Sequence, residues 1–501
     1  MEYLLGIDAG TTSFKGAVFD RNGNLVASAG ASYELITSSG SVVEFTAGGY
    51  LDALKSIITE LLSKTEIAAE DIVGMSIDSQ GETLIMIDNE GAPLCNAIVW
   101  LDSRADSEAA EISAQIGVKV VYDRTGQPEI APTWPASKLL WVRKNRPDLF
   151  NKVYKVLLLE DYLIYILTGK FAAEKSLLTS TIYYDINKGC WWDDMLDFVG
   201  INESQLPEIY NSGEPVARVV KKAAEIFGLS EGTMVVTGAL DQLSGMIGSG
   251  VVSDGSVCET TGTCMAVCVN TPSVPAYNPH FQIPCHAGVD GRHFYQIYWS
   301  QTAGAVLEWF KNNFYKDMKG SKILKAMDEE AAGIPAGAGG ITALPHLSGK
   351  ACPEFNADAR GAFFGIKLMH GRGHFTRAIL ESVAFMLREH IETAESQGIY
   401  FNEIRSLGGG AKSPLWNQMK ADVTGKSIVT LKNDEATCLG TAILAGRGTG
   451  LFKDINEAAG KFVRMGRVYE PDINLKRVYD TGYEKYKKMY ELSKGAFGKN
   501  R

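Results

Sequence analysis

Asp8, Gly10, Thr11, Thr12, Ser13 and Lys15 crowd into one short stretch near the N-terminus. A carboxylate, a run of small hydroxyl residues and a lysine are the groups that handle a polyphosphate. Backbone amides and hydroxyls surround its oxygens, an acid orients Mg²⁺ through water, and a cation balances charge. A surface hairpin whose Asp and Thr only satisfy their own turn is the competing reading. Asp241 is a second candidate, because it ends the apolar run Thr233–Gly238, Ala239, Leu240 and is followed by Gln242. A carboxylate there can take the proton of an attacking hydroxyl, general-base work that contributes roughly 10²- to 10⁴-fold. It can equally cap a helix that starts at that point.

Two further turns carry the same chemistry. Thr260-Thr261-Gly262-Thr263 is a small, hydroxyl-rich turn between apolar runs; two such facing turns can clamp a polyphosphate from opposite sides, and Gly262 lets backbone approach closely. Gly408-Gly409-Gly410-Ala411-Lys412-Ser413 follows an apolar run and precedes a helical one, which lets a nucleotide lie on backbone at a strand-to-helix turn. Ala411 stands before the lysine where a P-loop needs glycine, and the spacing does not satisfy G-x-G-x-x-G, so P-loop and Rossmann chemistry are disfavoured. Gln80, Glu82 and Asp102 offer donors and acceptors for a row of hydroxyls, and Trp100 offers a flat apolar face. Their plain alternative is a core tryptophan and a cross-strand charge.

The elements that must position these residues are legible from periodicity. Residues 4–20 form a hairpin with its tip at Gly10–Thr12, and residues 256–270 form a second one. Strands are predicted over 73–79, 84–88, 97–100, 233–238 and 403–407, and helices over 47–63, 137–144, 304–313, 377–393 and 414–424. The hairpin, strand and helix mixture occurs twice, which predicts two duplicated α/β lobes divided near residues 245–255. The charged, Tyr-rich tail after Lys461 reads as helical.

The chain has 501 residues, 45% hydrophobic and 22% charged, a size that favours two lobes over one core. A formal charge of -10 with no long Lys/Arg run speaks against nucleic acid as a partner. Neither a signal-peptide pattern nor an apolar stretch long enough for a membrane is visible, so a cytoplasmic location and no membrane partner are expected. The eight cysteines are scattered without C-x-x-C spacing and read as reduced thiols, and the seven histidines show no metal-ligand spacing.

Gly6-Ile7-Asp8-Ala9-Gly10-Thr11-Thr12-Ser13-Phe14-Lys15 resembles the first phosphate hairpin of the FGGY carbohydrate kinases. Gly361-Ala362-Phe363-Phe364-Gly365-Ile366, followed after seven residues by His374-Phe375-Thr376-Arg377, is similar to that family's C-terminal signature. Trp134-Pro135-Ala136-Ser137-Lys138-Leu139-Leu140-Trp141 resembles its N-terminal signature, and Gly408–Trp416 its adenosine-binding turn. The resemblance implies a two-lobed actin-like ATPase (ribonuclease H-like) α/β fold with a duplicated domain and an inter-lobe cleft. Its N-terminal domain would span 1–248 and its C-terminal, ATP-binding domain 249–501. It implies ATP and Mg²⁺, Asp241 as catalytic base, and Asp8 and Asp241 toward the metal. Gly10, Thr11, Thr12, Ser13, Lys15, Gly262, Thr263, Gly304, Gly409, Gly410 and Ala411 would face the nucleotide, and Gln80, Gly81, Glu82, Trp100, Asp102, Asp241 and Gln242 the sugar. A homodimer is a family-level expectation.

For the substrate, Ser79-Gln80-Gly81-Glu82-Thr83 keeps the Glu-Thr of glycerol kinases but has Gly81 where they carry arginine. Trp100-Leu101-Asp102-Ser103-Arg104 looks more like xylulokinases. A missing guanidinium leaves room for something larger than glycerol. The expected acceptor is therefore a ketopentose such as xylulose or a C4–C6 polyol, with glycerol as the alternative and a sugar-independent actin- or chaperone-like ATPase as the distant rival.

Overall fold

The structure, a computed structural model, describes residues 2–497 except Ser39, Lys319, Ser321 and Asp434. The N-terminal half is organised on a six-stranded sheet. Strands β1 (Tyr3–Ala9), β2 (Ser13–Asp20) and β3 (Leu25–Ser32) run as an antiparallel meander. β1 also pairs in parallel with β4 (Ile72–Ser79), which pairs in parallel with β6 (Met234–Leu240), and β5 (Pro215–Arg218) closes the edge antiparallel. The order is β5-β6-β4-β1-β2-β3. β1 is central, and Leu4, Leu5, Ile7 and Ala9 are buried to both sides, which is why it reads as a nearly continuous apolar run.

The C-terminal half repeats this plan. β7 (Val257–Thr261), β8 (Met265–Thr271) and β10 (Phe294–Ser300) form the meander, and β9 (Cys285–Ala287) extends it. β7 pairs in parallel with β11 (Glu403–Leu407), which pairs in parallel with β12 (Ser427–Leu431), and β13 (Met465–Tyr469) is the antiparallel edge. Hairpin-led meander, two parallel strands and an antiparallel edge thus occur twice in the same order, as duplicated ribonuclease H-like lobes require.

Helices cover the sheets where their apolar stripes predict. α1 (Ala47–Lys64) is capped by Thr46, whose hydroxyl accepts from the Gly49 amide, and buries Tyr50, Leu54, Ile57, Ile58 and Leu61. α2 (Pro135–Asn145) starts two residues before the predicted 137, because Pro135 is favoured at the first helical position. In the C-terminal half α4 (Gly304–Phe314), α5 (Arg372–Ser396) and α6 (Pro414–Thr424) fall where expected. The tail forms α8 (Lys476–Ser493), and its Tyr479, Tyr483, Tyr486 and Tyr490 are a helical stripe packed into the C-terminal core beside Phe385.

The two halves are joined by helices rather than by the chain connection alone. α3 (Asp241–Gly248) leaves β6, and α7 (Ala436–Gly448) leaves the C-terminal sheet yet packs against α3 and over β1, β4 and β6. Their backbones touch: a Cβ on Gly248 would lie 1.8 Å from the Ala436 carbonyl oxygen, and one on Gly440 1.9 Å from that of Ser244. Only glycine permits that approach. The apolar cluster around this crossing draws residues from both halves, from Leu4 to Val463. The strand predicted over 97–100 ends at Ile98, and Trp100 lies in the following turn. Among the described residues no helix is long and apolar enough to cross a membrane, and all eight cysteines are free.

Candidate active site

The ends of β1, β4 and β6 bring carboxylates together. Asp8 on β1 is opposite Lys15 on β2 and opposite Asp78 on β4. Burial pushes the Asp8 carboxyl up to about 6, with Lys15 opposing and Glu435 adding to the rise. Lys15 lies 3.4 Å from Glu435, at the start of α7, so the phosphate-type hairpin is tied by charge to the helix that crosses from the other half. Asp241 opens α3, and its Oδ1 accepts from the Gln242 amide at 2.7 Å. Burial, then the charge of Asp8, holds the Asp241 carboxyl up at about 7, and Glu82 contributes in the same direction.

Asp78 was not anticipated. It is fully buried, accepts from the Thr441 hydroxyl on α7, and is held well above the usual carboxylate range by burial and by Asp8. The available signal was an acid inside the otherwise apolar strand Ile72–Ser79.

Glu82, whose charge acts on Asp241, lies in the loop after β4. Gln80 is buried, its amide nitrogen 3.5 Å from the Tyr50 hydroxyl and its Oε1 without a hydrogen-bond partner among the described residues. Glu82 adopts φ 56 in the left-handed region, and burial lifts its carboxyl to about 7. Trp100, in the turn after Ile98, donates its indole N–H to the Thr11 hydroxyl at 2.8 Å, which links that turn to the tip of the first hairpin.

Two expectations meet a different geometry. Asp102 is fully buried, and its oxygens accept from the Arg104 guanidinium at 2.6 to 3.0 Å and from the Val43 amide at 2.7 Å, so its acceptor capacity is spent inside the protein. At Gly81 the direction of a side chain is filled, with Leu240 Cδ1 and Ser180 Oγ each 3.2 Å from the Cβ position. The space freed by the absent arginine is not empty there.

In the C-terminal half the tip Gly262–Cys264 joins β7 to β8. The Gly304 amide donates to Gly262 O at 2.9 Å, and the Ala303 and Ala305 amides donate to Thr263 O, which seats the start of α4 on this tip. A Cβ on Gly304 would lie 2.4 Å from Gly262 O, so glycine is required. The turn Gly408–Gly410 packs on Thr261, while Gly409 stays open toward solvent. Beneath them a fully buried Lys420–Glu259 pair at 2.5 Å, with Lys420 donating to Thr261 Oγ1 at 3.0 Å, fastens hairpin to α6. Ala411 is held through its carbonyl by Asn417, and Gln242 accepts from the Cys268 thiol across the junction.

Among the described residues no group of three or more His, Cys, Asp or Glu side chains is arranged to hold a metal ion by itself. Two crowded carboxylates, Asp8 and Asp241, are instead a donor set suited to Mg²⁺, which keeps waters and shares its coordination with substrate phosphates. A cavity of about 420 Å³ lies beside the connector Val251–Asp254 and is not lined by these carboxylates.

Duplicated ribonuclease H-like lobes whose first hairpins flank a carboxylate junction define the two-lobed, actin-like class of phosphotransferases. Sequence profiles of the N-terminal and C-terminal domains of the FGGY family of carbohydrate kinases match residues 3–248 and 257–449, and the chain belongs to that family. It is therefore a carbohydrate kinase. A xylulose kinase of Staphylococcus epidermidis is 31% identical over 494 residues, 98% of this chain and 97% of that protein. The ligand-bound structure of a xylulose kinase from Lactobacillus acidophilus superposes with a TM-score of 0.90 at 27% identity, covering 99% of both chains. A gluconate kinase from the same organism superposes at 0.89 with 26% identity, covering 99% of this chain and 100% of that one. Kinases named for different sugars thus share this backbone closely, so the fold does not select the sugar.

Proposed function

We propose that this kinase transfers the γ-phosphoryl group of ATP to a hydroxyl of a ketopentose of the xylulose type, with Asp241 as general base. The observation that carries the reading is the position of Asp241. It heads a helix at the junction of both sheets, with Asp8 of the phosphate hairpin and Glu82 of the loop after β4 as its charged neighbours. A carboxyl held near 7 is matched to accepting a hydroxyl proton at neutral pH.

In the reaction, Asp241 takes the proton of the sugar hydroxyl as its oxygen attacks the terminal phosphorus, the bond to the bridging oxygen breaks, and ADP leaves. Gly10–Ser13 and Gly262–Thr263 offer amides and hydroxyls to the phosphates, Lys15 offers charge, and Gly304, Gly409, Gly410 and Ala411 line the nucleotide's path. Asp8 and Asp241 would hold Mg²⁺, which neutralises phosphate oxygens when bound. The free Oε1 of Gln80, the Glu82 carboxylate and the face of Trp100 address the sugar, while Asp102 shapes that loop from behind through Arg104. Closure of residues 1–248 onto 249–501 would exclude water. A cytoplasmic setting suits the ATP requirement and eight free thiols.

Glycerol is the second reading, favoured by Glu82-Thr83. Against it stands Gly81, where Leu240 and Ser180 occupy the approach that an arginine would need. ADP release with Mg-ATP across xyluloses, ribuloses, gluconate, glycerol and erythritol separates the two, with Asp241→Asn as control. One strongly stimulating ketopentose, silenced by the substitution, is the expected result. Stimulation by glycerol alone, or sugar-independent turnover untouched by the substitution, would overturn it.

A further inference from the structure

The stretch Trp134–Trp141 has no part in the chemistry above, yet it delivers one charged group to the site. Lys138 on α2 is fully buried, and its ammonium donates to the Glu82 carbonyl at 3.1 Å and to the Val99 carbonyl at 2.9 Å. These carbonyls belong to two separate loops. One carries Glu82 in its left-handed conformation, which is unfavourable for a non-glycine residue and persists only when the surroundings hold it. The other leads directly into Trp100.

The two loops are further stitched together, since the Trp100 amide donates to Thr83 Oγ1 at 3.2 Å and the Trp100 indole to Thr11. Lys138 is the only charged donor among the described residues whose hydrogen bonds reach both loop backbones at this point. Burial of an ammonium is unfavourable, and here it lowers the Lys138 pKa to about 7 despite the nearby Glu82 and Asp102. An apolar side chain of the same length would fill the space at less cost. What it would lack is the pair of directed bonds.

We propose that Lys138 is a positioning residue for sugar recognition: by holding the Glu82 and Val99 carbonyls together it fixes the Glu82 carboxylate and the Trp100 indole relative to each other and to the first phosphate hairpin. The proposal rests on the reading of Glu82 and Trp100 as sugar contacts.

The test uses the full chain with Lys138→Met, read in two ways. Amide hydrogen exchange of residues 80–84 and 99–103 is expected to speed up by about tenfold or more, with α5 and α8 unchanged. In kinetics with the best sugar, KM for the sugar is expected to rise about tenfold while KM for ATP stays within about twofold. Unchanged exchange in both loops overturns the proposal whatever the substrate proves to be. Faster exchange with an unchanged sugar KM also overturns it, because Lys138 would then only stabilise the fold. If wild-type protein shows no sugar-stimulated ADP release, the kinase assignment of Glu82 and Trp100 falls, and the role in sugar recognition falls with it while the exchange data still report on the loop tie. Should Lys138→Met fail to fold, Lys138→Gln, whose amide reaches one carbonyl, is expected to show a smaller change of the same kind, and wild-type values in both readouts would refute the proposal.

Discussion

A carboxylate held up at about 7 by burial and by Asp8 is ionised above that pH at a cost to the folded protein. Its folded pKa lies above the ordinary 3.8, so its stabilising contribution is present below 3.8 and is lost as pH rises through about 7. Asp241→Asn is therefore expected to melt higher than wild type at pH 8 without nucleotide or Mg²⁺, by about 1 kcal/mol, or roughly 1 °C for a chain of this length, in a calorimetric scan. The same substitution should lower sugar-dependent ADP release by roughly 10²- to 10⁴-fold. A lower melting temperature would mean that the carboxylate has a structural task beyond the Gln242 amide. At Gly81 the crowding by Leu240 and Ser180 gives a second expectation. Gly81→Arg should weaken ketose turnover without creating glycerol turnover, and a coupled ADP assay on both acceptors decides it.

At the scale of elements the crossing of α3 and α7 and the hairpin-to-α6 tie hold the site together. Gly440→Ala places a methyl 1.9 Å from the Ser244 carbonyl oxygen, and backbone must move, so a loss of at least about 3 kcal/mol is expected in thermal unfolding. Gly460→Ala, in the helix Ile455–Phe462 with nothing within 4 Å of the new methyl, is the control and should be neutral or stabilising. Equal effects would show that the glycine, and not the close crossing, matters. Glu259→Gln leaves the Lys420 ammonium buried without its counter-charge, which costs about 3 kcal/mol. Because Lys420 also holds Thr261, against which Gly408 and Gly410 pack, this variant should raise KM for ATP more than KM for sugar.

Across the whole molecule, buried imidazoles set how acid is tolerated. Burial lowers His286 to about 4 and His346 and His390 to about 3 from an ordinary 6.5. Their contribution to stability is complete above pH 6.5 and is lost as pH falls toward those values, since only the unfolded chain binds the protons. His390→Gln should thus gain on wild type in melting temperature as pH is lowered from 7 to 5, and a constant difference would refute this.

The sequence by itself determined what lies within one local segment: the two hairpin tips, Asp241 at the end of its strand, the glycine turn before α6, and the duplication of the lobes. Periodicity and turn chemistry are local, so they are legible without coordinates. The tertiary structure alone decided that Asp78 stands beside Asp8, that Arg104 and Val43 consume the oxygens of Asp102, that Lys138 bridges two carbonyls, and that α7 crosses onto the other half. Each of these depends on strand register or on packing between segments far apart in the chain, and residue type and spacing carry no record of which distant atoms will meet.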